Sequence, residues 1–362
     1  MASGMTPDAP AGVRAGNFLR QLAWGIGLGS TVGLAWAVMV SRQPFLASVD
    51  AVYDTLLPLG LRNVLWDMRA HLWASRVPLA QITASVYLNP LTYLIVAAVF
   101  VLERVMPATR SQQRVLSRGL LQDFLWISAD ATFKVVCLSL YVGFLKSVYD
   151  RHLGFLTIQA VAAWPFAARV VFSLFVYDFL YYVDHVIRHR VEVLWYFHMV
   201  HHSQREMNLF TEGRVHVMDY LVSRTAIFIP VFMLQIDVPT LFWIAFLTHW
   251  YIRVYHANLR TNFGPLKYVM VTPQSHRIHH SLNLAHYNSN FGVLFTLWDR
   301  AFGTLYPNYD EYPEETGVED ERLPLEQTMD GLAVFATYLA QLAYPFRLLI
   351  RRAFRRAAGV PR

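Results

Sequence analysis

Thiols are almost missing from this chain: Cys137 is the one cysteine among 362 residues. A single thiol excludes an internal disulfide framework and any thiolate metal cluster. Charge is scarce too, at 15% of residues, against about 25% in an ordinary soluble domain. With 55% hydrophobic residues and a mean hydropathy of +0.31, the composition argues against a soluble enzyme and for one membrane-embedded body. The sequence also lacks a glycine-rich dinucleotide fingerprint, a haem motif and an internal repeat. The net charge of +6 is modest, but Arg351, Arg352, Arg355 and Arg356 form a compact basic tail. On a membrane protein such a tail favours contact with an anionic leaflet. No nucleic-acid-binding motif accompanies it, so no nucleic-acid partner is expected.

Four segments follow from the composition along the chain. Residues 1–17, rich in Ala, Gly and Pro, read as a disordered tail. Residues 18–88 supply an apolar stretch over 18–40, too long for a cleaved signal peptide, and a mixed connecting segment. Residues 89–310 hold apolar stretches at 90–102, 120–145 and 165–183, then a helical hairpin over 217–256 that turns at Ile236-Asp237-Val238-Pro239. Residues 311–362 end the chain with a further apolar run over 331–350. Arg104, Arg110, Arg114 and Arg118 crowd one short loop, which the positive-inside tendency places in the cytoplasm. Counting spans from there sets every histidine cluster on that same face. Pro345 and the arginines after it make 331–350 an interfacial amphipathic helix by expectation.

What is abundant is histidine, and it is concentrated. Of 14 histidines, 12 lie between His185 and His286, where even scattering would put about 4. His185 and His189 are four apart and share one helical face. His198, His201 and His202 follow as i, i+3 and i+4, and His276, His279 and His280 repeat that spacing. Three such arrays offer eight imidazoles, more than the four ligands of one closed tetrahedral zinc, so two metal ions are the economical reading. Imidazole suits iron, copper, nickel and zinc alike. His216, His249 and His256 are further candidate ligands, with His249 and His256 two turns apart on one helix face. Asp178, Asp184, Glu206 and Asp219 are placed to hold second ring nitrogens.

The order His-x3-His, His-x2-His-His, then a distant His-x2-His-His resembles the fatty acid hydroxylase and sterol desaturase superfamily. The likeness extends over roughly 90–310 through "YDFLYYVDHVIRHR", "LWYFHMVHHS", "HANL", "VTPQSHRIHHS" and "SNFGVLFTLWDRAFGTLYP", which read like its bacterial sterol-desaturase-like branch. The resemblance implies an all-α integral membrane protein, a transmembrane helical bundle under a cytosolic histidine-rich cap that holds a di-metal site. It implies two non-haem irons that use O2 to hydroxylate or desaturate a lipid C–H bond. The metal ligands would be His185, His189, His198, His201, His202, His276, His279 and His280. Some relatives carry a further His-x3-His pair, of which His256 matches the second member while Ile252 stands at the first, leaving His249 or His216 as substitutes. The branch implies a bacterial inner membrane. With no electron-carrying motif of its own, the chain needs a ferredoxin or cytochrome with its reductase, and Arg188, Arg190, Arg205 and Arg214 would suit docking an acidic carrier. The rivals are a histidine-rich membrane metal-binding or transport protein and a zinc-dependent membrane hydrolase. Trp195, Tyr196, Phe197, Trp250, Tyr251 and Trp298 are candidate linings of a lipid pocket, although with 15% aromatics overall membrane-interface anchoring is the better reading for most of them.

Overall fold

A computed structural model describes residues 90–109, 117–236, 238–320 and 322–358. The expectations for 1–17 and 18–88, and those for Arg110 and Arg114, lie outside the described residues. Each apolar run within them forms a helix. In chain order the helices are α1 (Pro90–Val105), α2 (Arg118–Val148), α3 (Phe166–Arg190), α4 (Glu192–His202), α5 (Val217–Met233), α6 (Val238–His256), α7 (Pro273–His279), α8 (Leu297–Phe302) and α9 (Gly331–Ala357). No strand occurs among the described residues; the backbone pairs only in three isolated bridges, such as Met270 with Phe295. The fold is therefore all-α.

The chain reverses where the sequence offers turn chemistry. Between α5 and α6, Gln235 takes a left-handed conformation (φ 48°), which lets the hairpin close in a few residues. The long helices α2, α3, α5 and α6 then bury one apolar cluster made of Val142, Leu145, Tyr177, Ile227, Phe228 and Ile244. That cluster draws on the later half of α2 and α5 and the earlier part of α3 and α6. The opposite end of the same bundle is polar: Asp123, Asp184, His185, Asp219, Arg253 and His256 are all buried there. The histidine spacings fall at this polar end, all three of them at helix C-termini.

Two described helices, α3 and α9, are long and apolar enough to cross a bilayer by length and composition. Of α1, 16 residues are described, beginning at the first described residue. α9 runs beyond the expected 331–350, continuing for 27 residues straight through Pro345. Proline removes one helical hydrogen bond and crowds the preceding turn. Here Gln341, Tyr344 and Pro345 are all buried against the body, so packing carries the turn that lost its bond.

Candidate metal centre

Local sequence sets each histidine in place. α3 carries His185 and His189 on its last two turns, and the chain then leaves helical geometry for one residue at Val191 (φ −94°, ψ 107°) before α4 begins. α4 packs on α3 and ends on His198, His201 and His202. His256 is the last residue of α6. The shortest of these elements, α7, is built for its ends. Thr272 accepts from the Ser275 N–H while the Ser275 hydroxyl accepts from the Thr272 N–H, and Pro273 sits in the first turn. Gln274 donates to the carbonyls of Asn308 and Glu311 at 3.0 and 2.7 Å, and Arg277 donates to Pro313 at 2.6 Å. A seven-residue helix is thereby fixed firmly enough to aim His276, His279 and His280.

Nine imidazoles converge. His185, His189, His198 and His202 form one group, with a candidate ligand atom from each lying within 4.8 Å of the others. His201, His256, His276 and His280 form a second by the same measure, and His202, His279 and His280 link the two. His202 and His280 stack between the groups with ring centroids 4.2 Å apart and 17° from parallel. The Nε2 atoms approach closely, at 3.1 Å for His189–His202, 3.2 Å for His198–His202 and 2.8 Å for His256–His276 within the groups, and 3.0 Å for His185–His279 between the first group and the link. Around an ion with bonds of ~2.1 Å, right-angle neighbours sit about 3.0 Å apart and tetrahedral neighbours about 3.4 Å. The spacing fits ligands at right angles.

The other ring nitrogens decide what faces inward. His185 Nδ1 lies 2.9 Å from the Phe291 carbonyl, His279 Nδ1 2.8 Å from that of Ser289, His256 Nδ1 2.8 Å from that of Ile252 and His201 Nδ1 3.3 Å from that of Arg214. A carbonyl only accepts, so each Nδ1 carries the hydrogen and each neutral ring turns a bare Nε2 lone pair inward. Two such lone pairs face each other at 3.0 Å in His185–His279 and at 3.2 Å in His201–His256. Lone pairs at that range repel unless a cation lies among them. Protonation is a poor remedy: burial, reinforced by neighbouring imidazoles, pushes His201, His202, His276 and His280 well below the usual 6.5. Burial likewise pushes His279 down to about 4. The donor set fits two soft-to-borderline divalent ions, and imidazole alone does not choose the element.

Carboxylates and arginines are deployed differently from the sequence expectation. Of the four candidate carboxylates, Asp219 alone meets one of the nine rings, at 3.0 Å from His198 Nδ1. Asp178 instead takes the N–H groups of Leu294 and Phe295 and the indole of Trp298. Asp184 pairs with Arg188 at 2.8 Å, and Glu206 accepts from the Gly119 N–H. Arg188 and Arg214 are buried and paired, the latter with Asp123 at 2.6 Å and Glu326 at 2.5 Å, so neither is available to a docking partner. Arg190 and Arg205 are exposed.

Two expected ligands stay outside the groups. His216 is the N-cap of α5: its Nδ1 accepts from the Met218 N–H and its Nε2 donates to the Leu342 carbonyl at 3.0 Å. Both nitrogens are engaged by backbone, which leaves none for a metal. His249 sits beside Trp250, seven residues before His256, which on a helix is about 10 Å along the axis. That rise puts it out of reach. His256, by contrast, joins the second group, and the carbonyl of Ile252, the residue standing where a histidine was wanted, holds its Nδ1.

Sequence reading missed the backbone carbonyls and the residues that fix them. Asp299 accepts from the N–H groups of Phe291 and Gly292, both at 2.8 Å, and so shapes the strip that offers the Phe291 carbonyl to His185. Asp123, wholly buried, gathers Gln204, Asn208, Thr211 and Arg214 and fixes the Arg214 carbonyl for His201. The signal was present as buried acids amid apolar text, but nothing in the spelling says which main-chain atom they hold. Phe291 packs on His185, His189 and His279, and Trp195 on His189 and His202, which walls this end of the site.

Comparison with known proteins returns relatives of one kind. A family described as fatty acid hydroxylase matches residues 170–304. Ornithine lipid hydroxylase OlsE of Rhizobium tropici is 32% identical over 183 residues, 51% of this chain and 52% of the relative. Alkylglycerol monooxygenase of Xenopus tropicalis is 34% identical over 143 residues, 37% of this chain and 30% of that protein. The human alkylglycerol monooxygenase is 33% identical over 137 residues, 35% of this chain and 28% of its own length. The chain therefore spans about half the length of the first of these relatives and less than a third of the others. No solved structure matches it.

Proposed function

We propose, from the match of residues 170–304 to the fatty acid hydroxylase family and the likeness to ornithine lipid hydroxylase, that the chain is a membrane-bound oxidoreductase of the fatty acid hydroxylase and sterol desaturase superfamily that hydroxylates an alkyl carbon of a polar membrane lipid. In balance, one C–H bond, O2, two electrons and two protons give an alcohol and water. Two irons held by His185, His189, His198, His201, His202, His256, His276, His279 and His280 would supply the O2 activation that no side-chain acid or base can perform. The electrons come from a separate carrier of the ferredoxin or cytochrome class with its reductase. Hydroxylation is favoured over desaturation because the matched relatives are named for hydroxylase and monooxygenase activity.

The chain's own residues bind, orient and shield. Backbone carbonyls and Asp219 lock five rings in one tautomer, so the site is arranged before any ion arrives. Burial of eight of the nine rings keeps bulk water from the oxidising centre. An apolar groove of about 460 Å³, lined by Phe175, Phe179, Met233, Leu234 and Trp298, offers a place for hydrocarbon on the same helix that carries His185. Convergence of the histidines on one enclosed cluster also favours catalysis over transport, which would string ligands along a pathway.

The facing lone pairs of His185–His279 and His201–His256 carry the reading. Purified protein is expected to hold about two irons per chain, and cells bearing His201→Ala are expected to lose an oxygenated lipid present with the intact protein. One zinc and no iron, or identical lipid profiles, would defeat it.

A further inference from the structure

α9 divides into three sectors at 100° per residue. Leu332, Phe335, Leu339, Ile350 and Phe354 are exposed and fall within an arc of about 100°, while Phe346 on the same arc is half-exposed and packs its ring against Phe197 and His216. Val334, Gln341, Tyr344 and Pro345 lie on the opposite side and are buried. Arg347, Arg351 and Arg355, four apart, run along one border between the two and are exposed. The helix thus presents one face to the protein, an apolar face turned largely away from it, and a row of cations at the edge.

Its contacts fix its direction. Before the helix starts, the Gln327 carbonyl accepts from Arg118 at the beginning of α2. Gln341 accepts from the Trp126 indole at 2.8 Å, and Tyr338 packs edge-on against the same ring. The Leu342 carbonyl meets His216 at the start of α5, Leu348 packs with Met199 of α4, and Arg352 pairs with Glu192 at 3.1 Å. Every partner belongs to the polar end of the bundle: the first turns of α2, the N-cap of α5 and both ends of α4. A 27-residue helix is about 40 Å long. Had it crossed a hydrocarbon layer of ~30 Å, one end would lie far from these elements. Both ends are tied to them.

We propose that α9 lies in the plane of the membrane between the histidine-bearing end and an anionic lipid surface, with its apolar arc in the acyl boundary and Arg347, Arg351 and Arg355 on lipid phosphates. Length and apolarity would pass it as a span, but the contacts assign it to one side. Charge complementarity selects the occupant: a cationic row at the rim of an apolar face suits anionic headgroups above acyl chains. A second copy of the chain would set like charges against each other. The inference does not depend on metal chemistry.

The test uses the full chain in proteoliposomes. In a Cys137→Ala background, Thr328→Cys and Arg356→Cys flank α9, and both are expected to react with a membrane-impermeant maleimide from the same side. Labelling from opposite sides overturns the proposal. A fluorophore at Phe354→Cys is expected to be quenched by shallow-labelled lipid more than by mid-bilayer label. Quenching by neither, with cross-linking between chains, assigns the face to a dimer and also overturns it. Finally, Arg347→Gln/Arg351→Gln/Arg355→Gln is expected to lower the ratio of bound phosphatidylglycerol to phosphatidylcholine at least threefold, measured with spin-labelled lipids. The matching triple lysine variant should retain it. An unchanged ratio in the glutamine variant removes the headgroup contact.

Discussion

Replacing Asp219 by Asn isolates the one side chain that fixes a cluster ring. Asp219 Oδ2 lies 3.0 Å from His198 Nδ1, and Arg188 Nη1 lies 3.1 Å from that same nitrogen. The two neighbours want opposite tautomers: a carboxylate needs hydrogen on Nδ1, whereas a guanidinium needs a lone pair there. The carboxylate wins in the native protein because the Arg188 guanidinium is already engaged by Asp184 and Asp219, and a hydrogen on Nδ1 leaves Nε2 free for a metal. With Asn the acceptor is weaker, and Arg188 can claim Nδ1, which would place the hydrogen on Nε2 and blind the ligand. A hydrogen bond to a charged group is worth about 1.5–3 kcal/mol. At 1.4 kcal/mol per decade that is roughly a 10- to 150-fold loss of metal affinity. Iron competition against a calibrated chelator, under anaerobic conditions, reads it directly. Asp184→Asn is the control, since Asp184 binds Arg188 at 2.8 Å without being hydrogen-bonded to any of the nine rings. It should lower the thermal midpoint of the metal-free protein while shifting iron affinity less than threefold. An Asp219→Asn protein with affinity within twofold of native would refute the tautomer argument.

Other substitutions probe separate parts of the centre. His256→Ala should cost the iron of the second group and leave about one per chain by elemental analysis, whereas His202→Ala should cost the iron of the first group, since His202 belongs to that group and to the link. His216→Gln should keep two irons while losing a helix cap worth roughly 0.5–2 kcal/mol, visible as a lower melting temperature. Arg214→Ala should cost about 3–5 kcal/mol, since it strands buried Asp123 and Glu326, and denaturant unfolding would show the loss. Gly292→Ala should destabilise and weaken iron binding together, because a Cβ there would lie 2.7 Å from the Phe295 carbonyl and 2.8 Å from Asp299 and must displace the strip that serves His185.

Helix positions and the three histidine arrays were legible because both are periodic. Apolar runs mark what must leave water, and the i, i+3, i+4 spacing puts His198, His201 and His202 on one face whatever surrounds them. His256 was legible only by its distance from a pattern. His216 and His249 lie outside the groups for a common reason: imidazole caps a helix, or settles within a bundle, as readily as it binds metal, and spacing does not distinguish these uses. Arg188 and Arg214 misled because charge in a sequence suggests a surface, yet both are buried in ion pairs. Long-range pairings such as Asp123 with Arg214 join residues 91 apart, and no local pattern announces them.

What the spelling conceals most completely is the part of the site made of main chain. Four of the five ring nitrogens with a fixed outward partner point at carbonyls, from Phe291, Ser289, Ile252 and Arg214. A carbonyl cannot be deleted by substitution and carries no net charge, so it orients imidazole without neutralising the ion that imidazole holds. A carboxylate in the same position would raise the basicity of each ligand and lower the net charge of the whole site. The protein uses that device once, at Asp219, and there offsets it with Arg188, itself bracketed by Asp184. The ligand field is consequently neutral and rigid, set by the path of the backbone. Disturbing it requires moving loops, which is why a single methyl group at Gly292 should reach the metals while the loss of a histidine at His216 should not.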